Sequence, residues 1–449
     1  MNNCKFCIVT PSLSCSEKSS RGFNEMLCSE IEAVLEKQDE EYIVCSDNTI
    51  KNYCSQIYIF VIQYREEVFS DILRNNINNL RAHKQIAFIC GKSASVEYHY
   101  ILKYLNADFV FLGEVEKTLS DIIKISKKKN SIQYSDFFDV EGIAYFFDGK
   151  IEKRKRFISE KNMDDLPFPK YQYLRNKGYS VCVLESSRSC HGKCNFCEGY
   201  LFRKFTGNLA YRAKSPERIT DEMKYIIQTY GTRIFAFSDD NFFCDGNYGK
   251  ERALKIAEII INKNLKNRFT IECRADDIDY EIFRILKKAG LRRVFVGLES
   301  GSQRVLDRYN KGTTVEDNCR AIEILHSLNI QCVPGYILFD PKTTLEELKE
   351  TIRFFNRYKE ILCSDEGNMG QQTLFFPQNS AIVYDLWPQR DEKFYEKMWY
   401  GEIEEKFEDI KVLKIYNKFC QNLIIEQDTG YVNEFSKKIY CLEKALKEV

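Results

Sequence analysis

Short apolar runs alternate with segments of helical periodicity through the first third of the chain. The runs are Phe6–Val9, Tyr42–Cys45, Ile57–Ile62, Ile86–Cys90 and Phe109–Leu112. Between them, Leu27, Ile31 and Val34 share one helical face, and Val68, Ile72, Ile77 and Leu80 share another. The spacing predicts further helices over 96–104 and 116–127. Runs without polar alternation suit strands buried on both faces. The pattern therefore predicts an α/β unit, a doubly wound parallel sheet over residues 1–130.

Residues 131–178 break this rhythm. Residues 142–147 and 150–156 flank Asp148-Gly149, a hairpin-turn dipeptide, and the charged stretch Glu152–Arg156 suits the hairpin's solvated strand. Pro167 and Pro169 then end regular structure, so this segment is expected to be a connector. From Tyr179 the alternation resumes with clearer punctuation. Ser215 and Pro216 open a helix that carries Ile219, Met223, Ile226, Ile227 and Tyr230 before Gly231 closes it. Strands are predicted at 181–184, 234–237, 269–273, 294–298, 332–338 and 373–376, with Thr314 and Asp317 spaced as a capping box. Six βα units fit a partial parallel (β/α)6 barrel over 179–378, its site at the strand C-termini. Residues 379–449 are expected to form a mostly helical extension, with Trp387 and Trp399 packing on the barrel or, as the alternative, bordering a substrate.

Charge narrows the partners. Lys+Arg and Asp+Glu are both 66, which argues against non-specific attraction to nucleic acid or to an acidic membrane. Eighteen cysteines in a chain with no apolar leader or span imply thiols kept reduced, and a cytoplasmic location. Cys4 and Cys7 read as part of a buried first strand, with a redox pair as the alternative. Gly91-Lys92-Ser93 follows a strand, but a phosphate loop needs glycine at position 86, which is Ile86.

The densest chemistry lies just after the run at 181–184, in Cys190-His191-Gly192-Lys193-Cys194-Asn195-Phe196-Cys197. Three thiolates in one loop can converge on a metal centre, and soft sulfur selects iron–sulfur clusters or zinc. Zinc asks for a fourth thiol or imidazole, usually on a second short clip, and none follows at that distance. A cluster with one iron left open is the better match. His191, bracketed by the cysteines, is not expected to ligate. Polar residues also gather at later strand ends: Ser238-Asp239-Asp240-Asn241, Glu272 and Arg274, Glu299-Ser300-Gly301-Ser302, and Asp340.

The C-x3-C-x2-C spacing with Phe196 before the last cysteine resembles the radical S-adenosylmethionine (radical SAM) superfamily. So do the D-D-N-F element, Arg274-x-Asp276, and G-x-E-S-G-S followed by Asn310-Lys311-Gly312-Thr313-Thr314. The resemblance implies a 4Fe–4S cluster on Cys190, Cys194 and Cys197, whose open iron chelates S-adenosylmethionine (SAM). It further implies reductive cleavage to a 5′-deoxyadenosyl radical that removes a substrate hydrogen, with electrons from a flavodoxin- or ferredoxin-type donor. Phe196, Asp239, Asp240, Arg274, Glu299 and Ser300 become candidate SAM-binding residues. The alternatives are a core aromatic for Phe196, a turn cap for either aspartate, and a Glu299–Arg274 salt bridge. Arg212 is a candidate for the methionyl carboxylate or a solvated loop charge. Cys363 is a candidate hydrogen-atom donor, with a buried structural thiol as the alternative.

The stretch 87–91 with Gly113-Glu114-Val115-Glu116-Lys117-Thr118 resembles the cobalamin-binding domain that precedes some radical SAM barrels. The chain lacks the D-x-H-x-x-G of corrinoid domains that ligate cobalt from below. His83 and His99 have neither the aspartate nor the glycine, so the fold is expected and the corrinoid left open. The leading expectation is cobalamin-dependent C-methylation of a peptide or small-molecule natural product. A cobalamin-independent radical SAM peptide epimerase or oxidoreductase is the alternative, and a non-catalytic iron–sulfur binding protein a third class.

Overall fold

A computed structural model describes residues 4–11, 18–63, 65–68, 70–175, 180–207, 210–243, 247–362, 373–374, 407–425 and 434–448. They divide into two compact units, Met1–Glu185 with Phe202–Thr232, and Ser186–Leu201 with Arg233–Val449.

The first unit is built on strands β1 (Phe6–Thr10), β2 (Tyr42–Ser46), β3 (Ile57–Val61), β4 (Ile86–Cys90), β5 (Phe109–Phe111), β6 (Ile143–Phe147) and β7 (Lys150–Arg154). They form one sheet in the order β2-β1-β3-β4-β5-β6-β7. The first five run parallel, with Phe6 opposite both Tyr42 and Ile57. Every residue of β3 and β4 is buried, which explains the unbroken apolar runs in the sequence. Helix Lys18–Lys37 contributes Leu27, Ile31, Val34 and Leu35 to this core, and helix Glu116–Lys127 contributes Leu119, Ile122 and Ile123.

The hairpin expected as a connector is part of the sheet. Ile143, Ala144 and Tyr145 of β6 pair antiparallel with Phe111, Val110 and Phe109 of β5. An apolar strand of this kind covers an edge that would otherwise expose unpaired backbone groups. Asp148 and Gly149 both adopt positive φ, the conformation that a two-residue hairpin turn requires. The compact unit accordingly continues well past residue 130.

The loops after β4 and β5 are laced together at the carboxyl edge of the sheet. The Ser95 hydroxyl lies 2.9 Å from both the Gly91 and Phe111 carbonyls and accepts from the Gly113 amide at 3.0 Å. At Gly91, with φ +124°, a Cβ would fall 1.9 Å from the Ile62 carbonyl oxygen, so no other residue fits. Cys7 is fully buried in β1, with its sulfur 3.5 Å from that of Cys45, whereas Cys4, expected in the same buried strand, precedes it and is half-buried. Arg212 is neither solvated nor free. It pairs with Glu114 and donates to the Glu160 carbonyl at 2.7 Å. The predicted strand Val181–Leu184 closes the first segment of this unit.

In the second unit, strands Ile234–Phe237, Arg268–Arg274, Leu291–Glu299, Gln331–Ile337 and Thr373–Leu374 pair successively and in parallel. Helices Asn247–Asn262, Tyr280–Ala289, Val315–Ser327 and Leu345–Arg357 connect them, as expected of a βα barrel segment. Thr314 and Asp317 form the predicted capping box. Helices Ile410–Ile425 and Glu434–Glu448 match the expected helical extension. Trp387, Trp399 and Cys363 lie outside the described residues. Among the described residues, no helix is long and apolar enough to cross a membrane.

Candidate active site

The cysteine loop of the second unit is held at both ends by residues distant in sequence. Before it, the Asp239 carboxylate accepts from the Ser186 amide at 2.7 Å, the Ser187 amide at 2.8 Å and the Ser186 hydroxyl. Arg252 adds a hydrogen bond to the Ser186 carbonyl at 2.8 Å. Burial pushes the Asp239 carboxyl above its ordinary range, while Arg252 and the serine donors pull it back. Both oxygens of Asp239 are thus engaged by the turn that launches the loop. The turn it holds is not the one that follows it, as the capping alternative had it, but one 53 residues earlier in the chain.

At the other end, the Asn195 amide donates to the Tyr309 carbonyl at 3.0 Å. The Asn195 side-chain amide donates to the Arg308 carbonyl at 2.9 Å. In return, Asn310 donates to the Lys193 carbonyl at 3.0 Å. Phe196 packs edge-on against Tyr309, ring centroids 5.3 Å apart, in a small cluster with Cys194, Val305 and Ile337. It is 7% exposed.

The sulfurs sit around this loop with backbone donors nearby. The Gly192 amide points at Cys190 Sγ from 3.3 Å, the kind of contact that stabilises a thiolate. A Cβ at Gly192 would lie 3.5 Å from Cys190 Sγ and 3.6 Å from Cys194 Sγ, and one at Gly199 would lie 3.5 Å from Cys197 Sγ. Burial pushes the Cys197 thiol up to about 12, so a bound metal must supply the charge that deprotonates it. Among the described residues, no three His, Cys, Asp or Glu side chains are set as for a single metal ion. A four-iron cluster instead takes one thiolate on each of three irons, and an all-cysteine donor set on one short loop fits that group.

Two ion pairs lie beside the loop, and neither is the Glu299–Arg274 bridge that stood as the alternative role for Glu299. Glu299 binds Lys311 instead, Nζ to Oε1 2.8 Å, with both side chains about 6% exposed. Burial lowers the pKa of Lys311, but Glu299 and the neighbouring Cys194 more than offset it, and the net shift is upward. Its ammonium lies 5.7 Å from the centre of the Phe196 ring. Glu299 has φ +58°, a left-handed conformation costing a non-glycine residue roughly 1–3 kcal/mol. A Cβ at Gly297 would stand 2.6 Å from both Glu299 Oε1 and Lys311 Nζ, so the glycine leaves room for the pair. Arg274 pairs with Asp276 as a fork, Nε to Oδ1 2.9 Å and Nη2 to Oδ2 3.1 Å. Its remaining Nη1 lies 3.8 Å from Cys194 Sγ.

Ser300 is buried, its hydroxyl 2.8 Å from that of Thr351 and accepting from the Ser302 amide at 3.1 Å. It secures the turn after the strand. Asp240 is exposed, and its carboxylate lies 3.5 Å from where a Gly199 Cβ would be, on the Cys197 side of the loop. Sequence reasoning named the 310–314 stretch without giving Lys311 a role. Its only local signal was a basic residue inside that motif.

Comparison with known proteins agrees with this geometry. Residues 184–355 match the model of the radical SAM superfamily. An uncharacterized methyltransferase of Pyrococcus horikoshii is 27% identical over 253 residues, covering 55% of this chain and 52% of the relative. The chain thus spans about half the length of that curated relative. The cobalamin-dependent SAM radical enzyme OxsB with aqua-cobalamin bound superposes with a TM-score of 0.67 at 20% identity, over 88% of this chain and 56% of that one. The radical SAM methyltransferase TsrM from Kitasatospora setae, with cobalamin and a [4Fe–4S] cluster bound, gives 0.64 at 13% identity, over 99% of this chain and 100% of that one. At these identities the two structures speak for the fold. Residues 184–355, the part of the chain that the family model matches, are a radical SAM domain.

Proposed function

We propose that this chain is a cobalamin-dependent radical SAM methyltransferase acting on an unactivated carbon of a peptide or small natural product. The observation that carries the reading is the pairing of a tethered three-cysteine loop with a first unit whose sheet runs β2-β1-β3-β4-β5. Parallel sheets of this order bind ligands beyond the carboxyl ends of their strands, where the order reverses. The order reverses between β1 and β3, and the Gly91–Ser95 and Gly113 loops follow β4 and β5 at the same carboxyl end. The only histidines of the first unit are His83 and His99. His83 follows helix Asp71–Ala82 and precedes β4, at the opposite end of the sheet, and the exposed His99 is bonded to the Tyr98 hydroxyl at 2.7 Å. A corrinoid on the carboxyl edge would therefore be held without a histidine from below. The names of the relatives support methylation.

When bound, the cluster supplies the electron that cleaves SAM and the corrinoid supplies the methyl group. The chain's residues hold and shield. Cys190, Cys194 and Cys197 would anchor the cluster, Glu299 and Lys311 would face polar groups of SAM, and Asp240 lies on the Cys197 side of the loop. A one-electron donor of flavodoxin or ferredoxin type in a reducing cytoplasm would complete the system.

The test is anaerobic purification, reconstitution with iron and sulfide, and assay with reductant, SAM and hydroxocobalamin. Formation of 5′-deoxyadenosine and S-adenosylhomocysteine with retained corrinoid is the expected result. Deoxyadenosine without corrinoid or homocysteine product would move the assignment to an epimerase or oxidoreductase. Absence of deoxyadenosine under every condition would overturn the radical reading.

A further inference from the structure

We propose that Arg274, oriented by Asp276, sets the reduction potential of the cluster through a charged N–H···S hydrogen bond to Cys194. The inference rests on the radical SAM reading and adds a role for one side chain that the reading does not contain. Three observations support it. The first is reach: Nη1 lies 3.8 Å from Cys194 Sγ, within hydrogen-bonding range for sulfur. The second is orientation. Asp276 takes Nε and Nη2 with its two oxygens, and a planar guanidinium held by one edge can aim only its remaining nitrogen elsewhere. The third is access. Gly192 has no side chain between guanidinium and sulfurs, and a Cβ there would crowd Nη1 at 3.1 Å. Arg274 is 7% exposed, so water screens the contact little.

The consequence is electrostatic. On reduction the cluster gains one electron from an external one-electron donor, and negative charge on its thiolates rises. A fixed cation donating to one of those sulfurs stabilises the reduced form more than the oxidised form, which raises the potential. Arg274 keeps its proton throughout, so the effect is a constant bias and not a pH switch.

The experiment is a mediated potentiometric titration of the reconstituted full-length chain, run without and then with SAM and followed by electron paramagnetic resonance. Arg274→Met and Arg274→Gln should each retain wild-type iron and sulfide while shifting the midpoint to more negative potential. Arg274→Lys should restore most of the wild-type value. An unchanged midpoint in both neutral variants overturns the proposal. So does a shift seen only when SAM is present, which would make Arg274 a SAM contact. Loss of the cluster from both neutral variants would show that the side chain supports the loop, and would overturn the potential-setting role. If the wild-type chain takes up no iron and sulfide, the radical SAM reading itself fails, which is a separate result.

Discussion

Replacing Asp239 with alanine should loosen the cysteine loop without touching a cysteine. The side chain is the acceptor for two buried amides, Ser186 and Ser187, at 2.7 and 2.8 Å. The Ser186 hydroxyl can rotate to another acceptor, but the amides cannot. Each buried donor left unpaired costs ~1–3 kcal/mol, so the loss is roughly 2–6 kcal/mol, nearer the lower figure where water enters the vacated space. A unit of this size loses ~2–4 °C of Tm per kcal/mol, which puts the expected drop on the order of 10 °C. Asp239→Asn keeps one acceptor oxygen and should lose less. The assay is an anaerobic thermal melt of the metal-free chain, with hydrogen exchange at Ser186 and Ser187 and iron content after reconstitution. A variant with wild-type melting and exchange, but with SAM binding abolished, would refute the reasoning and make Asp239 a ligand.

Alanine at Cys190, Cys194 or Cys197 should each abolish the cluster's visible absorbance and lower bound iron to background, with the fold retained by circular dichroism. Gly297→Ala should displace the flexible ends of Glu299 and Lys311, because its Cβ would lie 2.6 Å from both. The expectation is a loss of SAM affinity of at least tenfold by calorimetry, with iron content unchanged. Glu32, buried beside Glu36, has its carboxyl pushed up to about 7 by burial first and by Glu36 second. The unfolded chain releases that proton near ~4.3. Between these values the folded state holds more protons, so this site's contribution to stability falls as pH rises. Glu32→Gln should therefore flatten the stability profile over that window and gain up to about 3 kcal/mol at pH 8, read by urea unfolding at several pH values.

The fold was legible where burial dictates residue type over several positions. Strands β3 and β4, buried at every residue, leave a run that no exposed segment would carry. Thr314 and Asp317 announced their helix start through chemistry confined to four residues. The cysteine spacing was likewise local. What could not be read is what depends on tertiary placement. Glu299 meets Lys311 and not Arg274 because its strand ends in a left-handed residue and the chain then returns past it. Asp239 looked like a ligand because it sits at a strand end, yet the same position puts it within reach of the Ser186 amide, 53 residues away. The hairpin at 143–154 looked like a linker because its turn is strong and its second strand charged, while its edge pairing with β5 left no local mark.

The hydrogen bonds that join Asn195 and Lys193 to Arg308, Tyr309 and Asn310 bear on how the protein matures. The cysteines leave the ribosome long before their clamp, since Asn195 and Arg308 are 113 residues apart. Until that later segment emerges and folds, the loop has no fixed shape in which to display three thiolates. Iron and sulfide would therefore be loaded after synthesis has passed residue 310, and truncated chains ending before that point should emerge colourless.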